Sequence, residues 1–249
     1  MPHITEHQPG SFCWIELATR DAAAARDFYT RLFGWAVNEI PMGEMGTYFI
    51  FQKNGRDVAA LYQDAEQRPN WLSYISVRDI DAAAEQARSL GGTVNRGPFD
   101  VFESGRMAVA ADPQGAQFAL WEARSHAGVG VRDEPNALCW NELQARDPEA
   151  ANAFYTAFFH WRANHSADYT EWHLGEHAVG GMMTSRAPAG VPSYWLAYFA
   201  VDDCEAAAAL AIELNGTVRL PPTAIENVGR FAVLTDPQGA VFAVIQLAA

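Results

Sequence analysis

The chain has 249 residues, 49% hydrophobic and 19% charged, with 17 basic against 30 acidic side chains and a formal net charge of −13. That composition is globular and excludes a disordered or collagen-like chain. The acidic balance, without any Lys/Arg cluster, speaks against nucleic acid or an anionic membrane surface as partner and favours neutral or cationic ligands.

The stretch Met1 to His7 has neither the basic start nor the apolar core of a signal peptide, and no apolar run nears the ~20 residues that span a bilayer. Cys13, Cys139 and Cys204 are odd in number and widely spaced, which reads as buried free thiols in a cytoplasmic protein. In chain order, a strand is expected over Phe12 to Thr19. Alternation puts Trp14, Glu16 and Ala18 on one face, and Cys13, Ile15 and Leu17 on the other, under a helix. Asp21 caps that helix, Ala24, Ala25, Phe28 and Leu32 share one of its faces, and Gly34 ends it. Strand-like runs follow at Thr47 to Gln52 and Val58 to Tyr62. Trp71 to Asp79 then echoes Trp14 to Asp21, and Asp79 or Asp81 caps a second helix that ends at Gly91. Runs at Arg106 to Ala111 and Ala116 to Trp121 form a hairpin around Asp112-Pro113-Gln114-Gly115, whose residue order is that of a type I turn.

The second half repeats the first. Cys13-Trp14-Ile15-Glu16-Leu17 returns 126 positions on as Cys139-Trp140-Asn141-Glu142-Leu143, and Phe28-Tyr29-Thr30 as Phe154-Tyr155-Thr156. Asp112-Pro113-Gln114-Gly115 returns 124 positions on as Asp236-Pro237-Gln238-Gly239. Asp147, followed by Pro148, and Asp202 or Asp203 cap the helices here; His160 and Asn215-Gly216 end them. The chain thus holds four modules, 12–63, 70–123, 137–185 and 193–247, each strand, helix, strand, strand, strand. They make an N-terminal domain (1–123), a polar linker (124–136) and a C-terminal domain (137–249). Such domains, near 125 residues each, bury roughly two thirds of their unfolded surface and need no metal or disulfide staples. Four modules close two bowls, so a monomer or a homodimer is equally compatible with folding.

A duplicated βαβββ module with an F-Y-x-x-L-F-G-W helix end and a late D-P-x-G hairpin resembles the vicinal oxygen chelate superfamily, which includes glyoxalase I, bleomycin-resistance proteins and extradiol dioxygenases. The resemblance runs from about Phe12 to Leu247. It implies an α+β fold in which four modules pair into two bowl-shaped mixed sheets with helices on the outside. Metal-dependent members carry a His early in first strands and a Glu in the last strand of a module. Those positions fall here on Trp14, Leu72, Trp140 and Leu196, and on Ala119 and Ala243, none of which can ligate a divalent ion. No metal and no cofactor are therefore expected. His173 and His177 flank a Gly175-Glu176 turn and read as a surface pair.

Alternation gives the candidate bowl linings: Trp14, Glu16, Tyr74 and Trp121 in the first half, and Trp140, Glu142 and Tyr198 in the second, with Leu72, Ala119, Leu196 and Ala243 as apolar wall. An unpaired carboxylate in such a wall is costly. Glu16 and Glu142 therefore meet a ligand, or accept hydrogen bonds from Tyr, backbone amides or Arg106. One reading is a metal-free binder of a small aromatic or cationic molecule, like the bleomycin-resistance branch. A second is a glyoxalase-like lyase or isomerase with Glu16 or Glu142 as general base and Tyr74 or Tyr198 steadying an oxyanion. A third is an interaction module with vestigial pockets.

Overall fold

The computed structural model describes residues 3–248, apart from the side chain of Met45. In the first module β1 (Phe12–Thr19) leads into α1 (Ala22–Phe33), β2 (Ala36–Pro41), β3 (Thr47–Lys53) and β4 (Arg56–Gln63). The second holds β5 (Asn70–Ser76), α2 (Ile80–Ser89), β6 (Thr93–Val101), β7 (Gly105–Ala111) and β8 (Gln117–Ala123). The third holds β9 (Leu138–Ala145), α3 (Pro148–Phe159), β10 (Arg162–His165), β11 (Tyr169–Leu174) and β12 (His177–Thr184). The fourth holds β13 (Tyr194–Ala200), α4 (Cys204–Glu213), β14 (Thr217–Ile225), β15 (Gly229–Thr235) and β16 (Val241–Leu247).

Asp21, Asp79, Asp147 and Asp203 cap the four helices through side-chain bonds to first-turn amides. Gly34 and His160 end α1 and α3 in the left-handed conformation, and Asn215 (φ 65°), rather than Gly216, takes it after α4. Consecutive modules share a sheet. The orders are β2-β3-β4-β1-β5-β8-β7-β6 and β10-β11-β12-β9-β13-β16-β15-β14, two open eight-stranded mixed sheets of identical topology.

The helices lie on the outer face of each sheet, and there the halves meet crosswise. Ile15, Leu17, Phe28 and Tyr29 of the first module pack with Ala197, Phe199 and Phe242 of the fourth. Ile75 and Phe118 of the second pack with Leu143, Phe154 and Tyr155 of the third. Trp71 donates its indole N–H to the Tyr29 hydroxyl (3.0 Å), which donates to Asp236 across the interface (3.1 Å). Trp195, Tyr155 and Asp112 repeat the chain at 3.0 and 3.2 Å. The other oxygen of Asp236 accepts the amides of Gln238, Gly239 and Ala240. The paired D-P-Q-G hairpins are thus latches between halves as well as turns.

One expectation fails. Cys13 does not pack under the helix. The β1–β5 ladder slips between Phe12 and Trp14, so Phe12 turns to the helix side and Cys13 joins Trp14, Tyr74 and Trp121 on the inner side. Such a slip inserts one unpaired residue and breaks strict alternation. Cys139 repeats the deviation, packing with Leu196 and Tyr198. The linker is also more than a tether. Val129 is fully buried and donates its amide to the Cys13 carbonyl (2.8 Å). Gly128, at φ 131°, is required there, since a Cβ would sit 2.1 Å from that carbonyl oxygen.

Candidate functional site

Each bowl places one carboxyl group at its floor. Glu16 pairs in register with Ala60 on one side and Leu72 on the other; Glu142 pairs with Gly181 and Leu196. The Glu16 Oε2 atom accepts the Tyr48 hydroxyl at 2.6 Å, and Oε1 accepts the Tyr74 hydroxyl at 2.9 Å. The Glu142 Oε1 atom accepts the Tyr198 hydroxyl at 2.8 Å and the Gln144 amide at 2.6 Å, and Tyr169 also bonds to this carboxylate. The Tyr169 hydroxyl in turn accepts the Trp140 indole N–H (2.8 Å). The two halves therefore repeat one motif: Trp, Glu and two Tyr.

Tyr74 and Tyr198 were among the residues expected from the sequence. Tyr48 and Tyr169 were not. They sit on β3 and β11, two strands away from the Glu, and reach it over the small residues Ala60 and Gly181. A Cβ on Gly181 would stand 2.0 Å from the Tyr169 hydroxyl oxygen. The available signal was alternation in β3, where Phe49 and Phe51 face the helix-side core and leave Tyr48 and Ile50 for the bowl. Arg106 does not meet Glu16; it pairs with Asp81 at 2.7 Å, and Arg230 likewise pairs with Glu205 at 2.7 Å. His177 is exposed, but His173 is partly buried and bonds Glu171 at 2.6 Å.

The bowls differ in which residues are covered, and the N-terminal one leaves Glu16, Tyr48, Leu72 and Met107 partly exposed. In the N-terminal bowl Trp14, Tyr74 and Trp121 are buried beneath the linker: the His126 ring stands edge-on to Trp14 at 4.6 Å, and Trp121 donates to the His126 carbonyl. In the C-terminal bowl Glu142 and Tyr198 are buried, but Trp140, Tyr169, Tyr194 and Phe231 keep partial exposure. Two surface hollows lie elsewhere, one of about 440 Å³ beside α2 and one of about 200 Å³ between Asp133 and Gln246. Both are open to solvent and lack the aromatic walls of the bowls.

Burial pushes the Glu16 carboxyl above the usual carboxylate range, although the Tyr48 and Tyr74 hydroxyls pull the other way. Burial does the same to Glu142 against Tyr198, Tyr169 and Gln144. A carboxyl whose folded pKa exceeds its unfolded one binds its proton more tightly in the native state. Its cost is absent below the unfolded pKa and accrues as pH rises through the folded pKa. A Glu16→Gln/Glu142→Gln double variant, which cannot ionise, should therefore gain thermal stability relative to the native protein as pH rises from about 4 to 7. Melting curves showing a flat or falling difference over that window would contradict the assignment.

The donor set does not suit a divalent ion. Both Glu16 oxygens are engaged by tyrosines, and the described residues hold no cluster of three His, Cys, Asp or Glu groups close enough to hold a metal. Zinc, manganese or iron(II) needs several such ligands converging on one point.

Comparison with known proteins agrees with this architecture. Residues 11–120 match the model of the Glyoxalase/Bleomycin resistance protein/Dioxygenase superfamily, and residues 140–245 that of the glyoxalase-like domain. The chain is 40% identical over 259 residues to a Mycobacterium tuberculosis protein named "Putative glyoxylase CFP32", covering 99% of this chain and 98% of the relative. It is 34% identical over 264 residues to the anthracycline biosynthesis protein DnrV of Streptomyces peucetius, covering 98% and 96%. In fold it is similar to the Mn(II)-bound glyoxalase from Novosphingobium aromaticivorans, with a TM-score of 0.68, 13% identity, and coverage of 96% of this chain and 82% of that one. The 2,3-dioxygenase LapB from Pseudomonas sp. KL28 follows at TM-score 0.66 and 13% identity, with coverage of 100% and 94%.

Proposed function

Since the chain belongs to the glyoxalase/bleomycin resistance protein/dioxygenase superfamily, we propose that it binds a planar aromatic molecule with a hydroxyl-bearing or cationic edge, in a bowl without the family's metal. The observation that carries this reading is the C-terminal floor: Glu142, held by Tyr198, Tyr169 and Gln144, under the partly exposed rings of Trp140, Tyr194 and Phe231. Indole and phenol faces stack on a flat ring system, and a carboxylate recognises a hydroxyl or ammonium group at its edge. The name of the Streptomyces relative supports the same class, an anthracycline being a fused-ring, hydroxylated aromatic.

A second reading rests on the raised carboxyl pKa. A Glu whose pKa burial raises is, in its ionised form, a stronger general base for an acidic C–H. On taking a proton, Glu142 no longer needs the Tyr198 hydroxyl as donor, which frees that O–H for an oxygen that gains negative charge on the substrate. Binding alone requires no such exchange.

Calorimetric titration with a dihydroxyanthraquinone tests the proposal. The native protein should bind it, and Trp140→Ala, with its fold checked by circular dichroism, should bind at least about tenfold more weakly, since a stacked ring contributes ~1 kcal/mol or more beyond its buried area. Equal affinity in both would remove the C-terminal bowl from consideration. Turnover of the bound compound, abolished by Glu142→Gln, would move the second reading ahead.

A further inference from the structure

The two bowls repeat the Trp, Glu and Tyr motif but not the residue facing it from the far edge. In the N-terminal sheet Arg96 of β6 stands opposite Val109 of β7; in the C-terminal sheet the corresponding residue of β14, opposite Val233 of β15, is Leu220. Arg96 is exposed, and its guanidinium carbon lies 5.1 Å from the centre of the Phe99 ring. Phe99 itself pairs with Met107, which packs against the inner cluster of Trp14, Tyr74 and Trp121. Arg96 is also among the charges that act on Glu16, Tyr62 and Asp64 across the bowl, the smallest influence named for each.

None of the acids nearby takes Arg96 as a partner. Among the described residues no carboxylate lies within ion-pair distance of it. Glu16 is engaged by Tyr48 and Tyr74, while Asp64 is folded back on the amides of Glu66 and Gln67 and the side chain of Gln67. The neighbouring arginines behave otherwise: Arg106 is bound to Asp81 and Arg124 to Asp100. An arginine that rests on an aromatic face, with its N–H fork unpaired, is preorganised for a carboxylate. Leu220 carries no charge, and the cations that act on Tyr194 in the second bowl, Arg219 and Arg146, are already bound to the Thr235 hydroxyl and to the Val191 and Ala187 carbonyls.

We propose that Arg96 is a specificity-determining anchor and that the N-terminal bowl takes an aromatic carboxylate, its acid group on the Arg96 fork and a hydroxyl directed at the Glu16–Tyr48–Tyr74 cluster. The proposal rests on the reading that the bowls bind small aromatic molecules, and it divides the ligand classes between them. The N-terminal bowl selects an anionic ligand and the C-terminal bowl a neutral or cationic one.

Fluorescence-anisotropy titrations with hydroxynaphthoate and with its uncharged carboxamide separate the alternatives. The native protein should prefer the acid by about tenfold to a hundredfold, the worth of one charge-assisted contact. The preference should shrink with added salt. Arg96→Leu, which copies the C-terminal bowl at an exposed position, should equalise the two probes, and Arg96→Lys should keep part of the preference. Equal binding of acid and amide to the native protein, or a preference that survives in Arg96→Leu, would overturn the anchor while leaving the binding reading standing. Failure of both probes to bind at millimolar concentration while dihydroxyanthraquinone still binds would overturn the anchor alone, and failure of all three would overturn the binding reading with it.

Discussion

Replacing Asp236 by Ala is expected to lower the unfolding free energy by about 3–5 kcal/mol, one of the larger losses a single substitution can produce here. Asp236 is buried, and its carboxylate is the acceptor for three turn amides and for the Tyr29 hydroxyl of the other half. Alanine orphans the Tyr29 hydroxyl and the Ala240 amide in buried surroundings, whereas the Gln238 amide is partly open to water and the Gly239 amide keeps the Asp236 backbone carbonyl. Each buried donor so abandoned costs on the order of 1–3 kcal/mol. Burial raises the Asp236 pKa, so relief from holding a charge there offsets part of the loss and keeps the total below the plain sum. Asp236→Asn keeps one oxygen for the turn and should cost roughly half as much. Urea unfolding of both variants, with Asp112→Ala as the pseudo-symmetric partner, measures this directly. A loss under about 1 kcal/mol for Asp236→Ala, or equal losses for Ala and Asn, would mean that the latch is not the source of stability.

The repeat explains how far the sequence could be read. Cys-Trp-x-Glu-Leu, Phe-Tyr-Thr and Asp-Pro-Gln-Gly recur with spacings near 125, and each marks a fixed point of the module: first strand, helix and last hairpin. Capping chemistry is local, so Asp21, Asp147 and His160 could be placed from neighbours in the chain. Alternation was enough to put Glu16 and Glu142 on the inner face. It failed at Cys13 because a ladder slip depends on the partner strand, which β1 alone does not reveal. The crosswise docking of modules was equally hidden. Tyr29 and Asp236 are far apart in sequence, and their bond needs the halves already assembled. Tyr48 and Tyr169 escaped for a related reason: their hydroxyls cross a strand to reach the Glu, a geometry that no spacing along one strand encodes.

Glu142→Gln is expected to weaken binding of the dihydroxyanthraquinone about tenfold to a hundredfold, because a charge-assisted hydrogen bond contributes about 1.5–3 kcal/mol and ~1.4 kcal/mol is a factor of ten. The carboxylate is acceptor-only, and Tyr198 and Gln144 already donate to Oε1 at 2.8 and 2.6 Å. Its negative charge is what a ligand hydroxyl or ammonium group finds there. Gln keeps the shape and one acceptor oxygen but presents an NH2 group where the second oxygen stood, so Tyr169 or the ligand must turn its hydrogen away. Folding should hardly suffer, since the lost hydrogen bonding is balanced by no longer burying an ionisable group whose pKa burial has raised. Calorimetry and thermal melts on the same preparation give both quantities. Should Glu142→Gln unfold the protein while the residual folded fraction binds as before, the Glu142–Tyr198–Tyr169 cluster is a strut of the sheet, and ligand choice resides in the aromatic wall alone. Should affinity fall with the fold intact, Glu142 is a recognition group, and Tyr198, Tyr169 and Gln144 hold its carboxylate where a ligand meets it.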